Sequence, residues 1–446
     1  MRKTYEEYVS FNDIWITNIP ITWQSHKMKH LFCERSEKGY PHEQLLVASQ
    51  NMGVVPKAIY GSRTVEAQKD LQLLKLVKIG DFVISLRSFE GGIEYAYYQG
   101  IISPAYTVLT TKGSIQRGYF RYLAKSTLFV KLLTLCVTGI REGQNIDYSK
   151  LKNHLLPVPP REEQEQIVRF LDWKVSSINK LINIKQQEIT ELKELKKATI
   201  SDAVTHGLDK TVPMKDSGIA WLGTIPQHWE YKKINSLFLE RKTKVSDKDY
   251  QPLSVTKSGI LHQLTDAAKS NDSDNRKLVL AGDFVINSRS DRKGSCGVSV
   301  LDGSVSLINI VLEPKRKLEQ LFVHYLLRCQ PFSEEYYRCG RGIVADLWTT
   351  RYSEMKSIFL PIPPRNEQDH IARFLDARCA EINRLIAAKQ AQITDLHDLK
   401  SSLIADVVTG QIDVRDVTIP NYETVQEHAD EAPDTIANSL EAAEEV

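Results

Sequence analysis

Few residues in this chain have the types and spacing that could do chemistry. Asp302 with Glu313-Pro314-Lys315 has the acid and Glu-x-Lys composition of a metal-dependent nuclease. Pro314 fits poorly inside a central strand, however, and the set has no counterpart in the other half of the chain. No Gly-x-Gly-x-x-Gly follows a strand-like run, no Asn/Asp-Pro-Pro-Tyr/Phe occurs, and no Gly-x-x-x-x-Gly-Lys-Ser/Thr phosphate loop is present. The six cysteines (Cys33, Cys136, Cys296, Cys329, Cys339, Cys379) form no Cys-x-x-Cys pair, and the histidines have neither metal nor triad spacing. That argues against a disulfide framework and a zinc site, and suits a reducing cytoplasm. The expectation is a chain with no catalytic or metal site of its own. What remains are cations in polar loops. Arg87 and Arg289 each follow the same kind of strand, Arg292 and Lys293 lie beside Arg289, and Arg141 and Arg341 occupy glycine-bearing turns.

The frame that must position these cations is a duplication. From Leu156 the chain reads LPVPPREEQEQIVRFLD, and from Leu360 it reads LPIPPRNEQDHIARFLD, a shift of 204 residues. At the same shift Ile178-Asn179-Lys180-Leu181-Ile182 meets Ile382-Asn383-Arg384-Leu385-Ile386. Repeats of this length must be found before any fold is assigned.

Each copy has the marks of a long helix. Paired prolines can stand at a helix start, and the acidic residues after them (Glu162, Glu163; Glu367) favour the positive end of the helix dipole. Leu171, Val175, Ile178, Ile182, Ile189 and Leu192 form a heptad seam, matched by Leu375, Cys379, Ile382, Ile386, Ile393 and Leu396. One lysine interrupts each row (Lys185, Lys389), and Gly207 and Gly410 stand where the helices should stop. Arg161 to Thr205 is 45 residues, which as a helix spans roughly 68 Å. So narrow a seam needs a partner: either each helix is a separate arm packed on its own domain, or the two copies pair antiparallel, which the chain path suits and which is the reading expected here.

The repeat extends beyond the helices. Trp15-x-x-x-Ile19-Pro20-x-x-Trp23 returns as Trp221-x-x-x-Ile225-Pro226-x-x-Trp229, and LVKIGDFVI from Leu76 returns as LVLAGDFVI from Leu278. Gly-Asp reads as a turn and Phe-Val-Ile as the start of a buried strand. The layout expected is therefore a globular domain over 1–158, a helix over 159–206, a second domain over 207–362, a second helix over 363–410 and an acidic, disordered tail over 411–446. Loops between the shared landmarks diverge, as in two readers of different targets built on one scaffold.

Composition is that of a soluble globular chain, with 42% hydrophobic and 26% charged residues and no apolar run long enough to span a membrane. Net charge is +2, yet eight carboxylates and no Lys or Arg lie from Val417 onward, so the rest carries +10. A basic body is compatible with nucleic acid, and the acidic end reads as solvating.

Taken in order, these motifs resemble the specificity subunit of type I restriction–modification systems; Asp216 to Glu230, DSGIAWLGTIPQHWE, is especially close. The resemblance implies an α+β fold: two mixed α/β target-recognition domains separated by two long helices in an antiparallel coiled coil, with pseudo-two-fold internal repeat. It implies partners too: double-stranded DNA, two methyltransferase subunits docked on the helices, and restriction/translocase subunits. S-adenosylmethionine, ATP and Mg would belong to those partners, with no cofactor on this chain. Arg87, Arg141, Arg289, Arg292, Lys293 and Arg341 then become the candidate DNA contacts, while Arg161 and Arg365 serve the helix start or a methyltransferase contact. A second reading stays open at this stage: a coiled-coil scaffold whose globular ends bind proteins.

Overall fold

The computed structural model describes residues 3–60, 70–139, 145–263, 274–342 and 348–426. It divides into two compact units: Met1–Gln186 with Ala391–Ala429, and Gln187–Gln390 with Asp430–Val446. Each contains a mixed α/β domain and one stretch of each long helix.

In the first unit a four-stranded antiparallel sheet has the order Phe32–Arg35, Thr107–Thr111, Phe82–Ile84, Glu94–Tyr95. The second unit repeats it as Phe238–Glu240, Asn309–Pro314, Phe284–Asn287, Cys296–Val298. The repeated Gly-Asp closes the turn into the third of these strands. Asp81 accepts the Lys78 N–H at 2.9 Å and pairs with Arg35 at 2.8 Å, while Asp283 accepts the Leu280 N–H at 2.9 Å and pairs with Arg241 at 2.8 Å. Both carboxylates are buried. The motif is thus a buried ion pair that fastens the turn to the first strand of the sheet.

The long helices are Arg161–His206 and Arg365–Val408; at 1.5 Å per residue the first is about 69 Å long. In both units the start of one helix and the end of the other meet on the tryptophan motif. In the first, Trp23 Nε1 donates to Glu163 Oε1 at 2.9 Å, Tyr5 O–H donates to the same oxygen, and Tyr119 O–H donates to the Val408 carbonyl at 2.8 Å. Gly410 follows with φ +76°, and a Cβ there would lie 2.3 Å from Pro20 Cδ. In the second unit Trp229 Nε1 donates to Glu367 Oε1 at 3.1 Å, and a Cβ on Gly207 (φ +72°) would lie 3.1 Å from both Trp229 and Glu367. The helix-ending glycines therefore provide left-handed backbone and close approach together. Gln164 and Gln368 complete the joint, donating to the carbonyls of Pro159 (2.8 Å) and Pro363 (2.9 Å) and accepting the N–H groups of Gln116 (2.7 Å) and Glu319 (3.0 Å).

The helices run antiparallel within each unit. Leu171 shares a core with Val407 and Val408 in the first, and Leu375 shares one with Ala203 and Val204 in the second. Lys400 Nζ donates to Asn179 Oδ1 at 2.9 Å, and Lys196 Nζ donates to Asn383 Oδ1 at 2.8 Å, one cross-link made twice by repeat-related residues. Of the seam residues, Leu171, Ile178, Ile182, Ile189, Leu375, Cys379, Ile382 and Ile393 are buried; Val175, Leu192, Ile386 and Leu396 are half-buried.

The segment after the second helix departs from the expected disordered tail. Asp413 N–H donates to the Lys3 carbonyl at 2.8 Å, and residues 414–426 lie along the first helix, where Gln166 donates to the carbonyls of Val414 (3.1 Å) and Val417 (2.7 Å) and Ser176 Oγ to that of Glu423 (2.8 Å). Acidic composition misled because the order comes from the other side of the contact, from neutral polar groups on the helix. The carboxylates from Glu427 onward lie outside the described residues.

One buried carboxylate carries a pH dependence. Glu94, on the last strand of the first sheet, is 1% exposed and holds Lys125 Nζ at 2.7 Å. Its other oxygen has no hydrogen-bond partner among the described residues, and burial pushes its pKa up to about 7 despite the nearby ammonium. A folded pKa above the unfolded value means the fold binds the proton more tightly. The resulting stability is present below about pH 4.5 and is lost as pH rises through 7, on the order of 3 kcal/mol. Thermal melts of wild type and Glu94→Gln across pH 5–8 should converge at the acid end and separate at the alkaline end, the variant being the more stable there. Parallel profiles would contradict this assignment.

Candidate nucleic-acid interface

The second domain gathers its cations around one short backbone element. Thr349 pairs with Arg289 on one side and Arg341 on the other, with Arg341 N–H to Thr349 C=O at 3.1 Å and the reverse bond at 3.0 Å. Ser290 N–H donates to the Trp348 carbonyl at 2.9 Å, and Thr350 N–H to that of Ser288 at 2.9 Å. Arg289 and Arg341, 52 residues apart in sequence, are thereby brought to either side of Thr349. Arg289 and Arg292 flank Asp291 at 3.2 and 3.9 Å, and Lys293 Nζ stands 5.4 Å from the Tyr337 ring centroid. These are exposed pairs of small net strength, which leaves the guanidinium groups able to exchange a carboxylate for a phosphate. Trp348 adds a large, partly exposed ring at the same place. Neither Trp348 nor Tyr337 was singled out from the sequence, since neither has a matching residue in the first repeat.

In the first domain Arg87 is exposed, between the strand Phe82–Ile84 and the short helix Ser88–Gly91. Arg141 lies outside the described residues. Arg161 pairs with Glu165 at 3.0 Å, and Arg365 with Asp369 at 3.1 Å and with Glu319, all at the helix starts.

The nuclease-like set is dispersed among structural tasks. Asp302 accepts the Ala281 N–H at 2.7 Å, Glu313 stands 3.4 Å from Arg241, and Lys315 donates to the Asn235 carbonyl at 2.8 Å. Pro314 ends its strand opposite Phe238.

Comparison with known proteins gives the family of the chain. The family model for the type I restriction modification DNA specificity domain matches twice, over residues 22–194 and 226–395. The chain belongs to that family. Each match begins within the tryptophan motif of one repeat and ends inside its long helix. The MjaX type I restriction enzyme specificity subunit of Methanocaldococcus jannaschii is 24% identical over 447 residues, covering 91% of this chain and 97% of the relative. The MjaVIII specificity subunit of the same organism is 24% identical over 362 residues, covering 77% and 81%. A solved chain from work on complex assembly and conformational transition of the type I R-M system superposes with TM-score 0.65 at 15% identity, covering 88% of this chain and 99% of its own length. At that identity the likeness speaks for the fold.

Proposed function

We infer that this chain is the specificity subunit of a type I restriction–modification system, its two globular domains each reading one half of a bipartite duplex DNA site. The observation that carries this is the exact doubling of one architecture: two family matches, two sheets of the same strand order and two tryptophan-clamped helix starts. Domain boundaries at 1–158, 159–206, 207–362 and 363–410 are proposed in keeping with that doubling. The heptad seam holds the paired helices as a ruler between half-sites, and their outer faces dock two methyltransferase subunits. The chain does no chemistry itself; S-adenosylmethionine, ATP and Mg belong to the modification and restriction subunits that join it. Among the described residues no helix is long and apolar enough to cross a membrane.

Arg87, Arg289, Arg292, Lys293, Arg341 and Arg141 are proposed as DNA contacts, with those around Thr349 the best grouped. Each phosphate neutralised releases counterions, so the logarithm of the binding constant falls with that of salt by about 0.9 per contact. The double variant Arg289→Ala/Arg341→Ala should weaken duplex binding by about 10–100-fold at low salt and flatten the salt slope by roughly two. Fluorescence anisotropy across a salt series measures both. An unchanged slope would remove these two residues from the interface.

A further inference from the structure

The two repeats differ along one stripe of the long helices. On the first helix Gln166, Phe170, Trp173, Ser176, Asn179 and Asn183 lie along a single side, and the segment 414–426 runs over it. Beyond the Gln166 and Ser176 bonds, Ser176 Oγ accepts the Val425 N–H at 2.6 Å, Asn179 Nδ2 donates to the Val425 carbonyl at 3.1 Å and Asn183 Nδ2 to the Gln426 carbonyl at 2.9 Å. Val417 and Ile419 pack on the cluster that buries Phe170 to 7% exposure. At the 204-residue shift the second helix has His370, Phe374, Ala377, Ala380, Asn383 and Ala387. There Phe374 is 43% exposed, and the other five are exposed as well. Three of the four side chains that hold the segment are replaced by residues that do not reproduce them, while the phenylalanine beneath it is kept. Among the described residues, such a segment lies on the first helix alone.

We propose that residues 414–426 are a strap that withholds one of two repeated helix faces, so that methyltransferase-class subunits load unequally: the first on the open Phe374 face, the second on the Phe170 face only after displacing the strap. This rests on the specificity-subunit reading. The physical basis is the kind of hold. From Val417 to Gln426 the strap's bonds are mostly backbone carbonyls to neutral side chains, each of small net worth, and ordering an extended segment opposes them; nearer its start Lys3 adds an exposed ion pair to Asp416. Such a segment opens without unfolding the domain beneath it. The face it covers is built on the same phenylalanine that the other helix presents openly. The repeat thus carries two copies of one docking surface, one of them latched by the chain's own end.

The test uses the full chain with its modification subunit, titrated and counted by native mass spectrometry. Wild type should bind the first subunit at least ten-fold more tightly than the second. Ile419→Asp, which loosens the strap, should bring the second affinity to within about two-fold of the first. Ser176→Cys with Val425→Cys, oxidised to lock the strap, should abolish the second step only, and reduction should restore it. Phe374→Asp should instead impair the first step. Two equal steps in wild type, or a locked strap that leaves the second step unchanged, would overturn the strap and leave the specificity reading standing. No subunit bound by any form would sink both.

Discussion

Replacing Asp283 by alanine is expected to cost about 3–5 kcal/mol and to open the second domain while the first keeps its protection. Asp283 and Arg241 are 3% and 14% exposed at the side chain, and the carboxylate also accepts the Leu280 N–H. Removing it leaves a guanidinium largely out of water with only Glu313 nearby, the situation in which a truncated ion pair costs most. Hydrogen exchange read by mass spectrometry would localise the loss to the sheet Phe238–Glu240, Asn309–Pro314, Phe284–Asn287, Cys296–Val298. Asp81→Ala should do the same to the first sheet through Arg35. A cost below 1 kcal/mol, or exchange spread evenly over both domains, would show that the Gly-Asp motif is not the fastening described above.

The second large effect concerns spacing. Four residues added to each long helix, between Ile182 and Ile189 and between Ile386 and Ile393, should widen the unread gap of the DNA site by about two base pairs. Four residues lengthen a helix by ~6 Å, against about 3.4 Å per base pair. Both helices must change together, because an antiparallel seam tolerates extra residues only when both sides gain them. Selection of bound sequences from a random pool should return the original half-sites at the wider gap. An unchanged gap, with both half-sites still read, would refute the ruler.

Much of this architecture was legible because duplication makes a sequence check itself. The heptad rows and the helix-ending glycines Gly207 and Gly410 each appear twice at nearly one shift, so chance resemblance is suppressed. What escaped were features whose partners are distant or unrepeated. Arg35 lies 46 residues before Asp81, and no local pattern announces that a half-buried arginine at the end of the strand Phe32–Arg35 will pair with it. The tryptophan motif was legible as a packed turn, but its bond to Glu163 or Glu367 crosses some 140 residues. Gln166, Ser176 and Asn183 look like an ordinary solvated helix face until the chain's own end is laid across them. Thr349 brought Arg289 and Arg341 together through two isolated backbone pairings, a contact with no signature in residue type.

The most direct test is to co-express this chain with a candidate methyltransferase subunit and map methylated adenines genome-wide. One bipartite motif with a fixed gap is expected, and exchanging residues 1–158 for those of another specificity subunit should change one half only. A contiguous motif, or no methylation from a soluble and fully assembled complex, would contradict it.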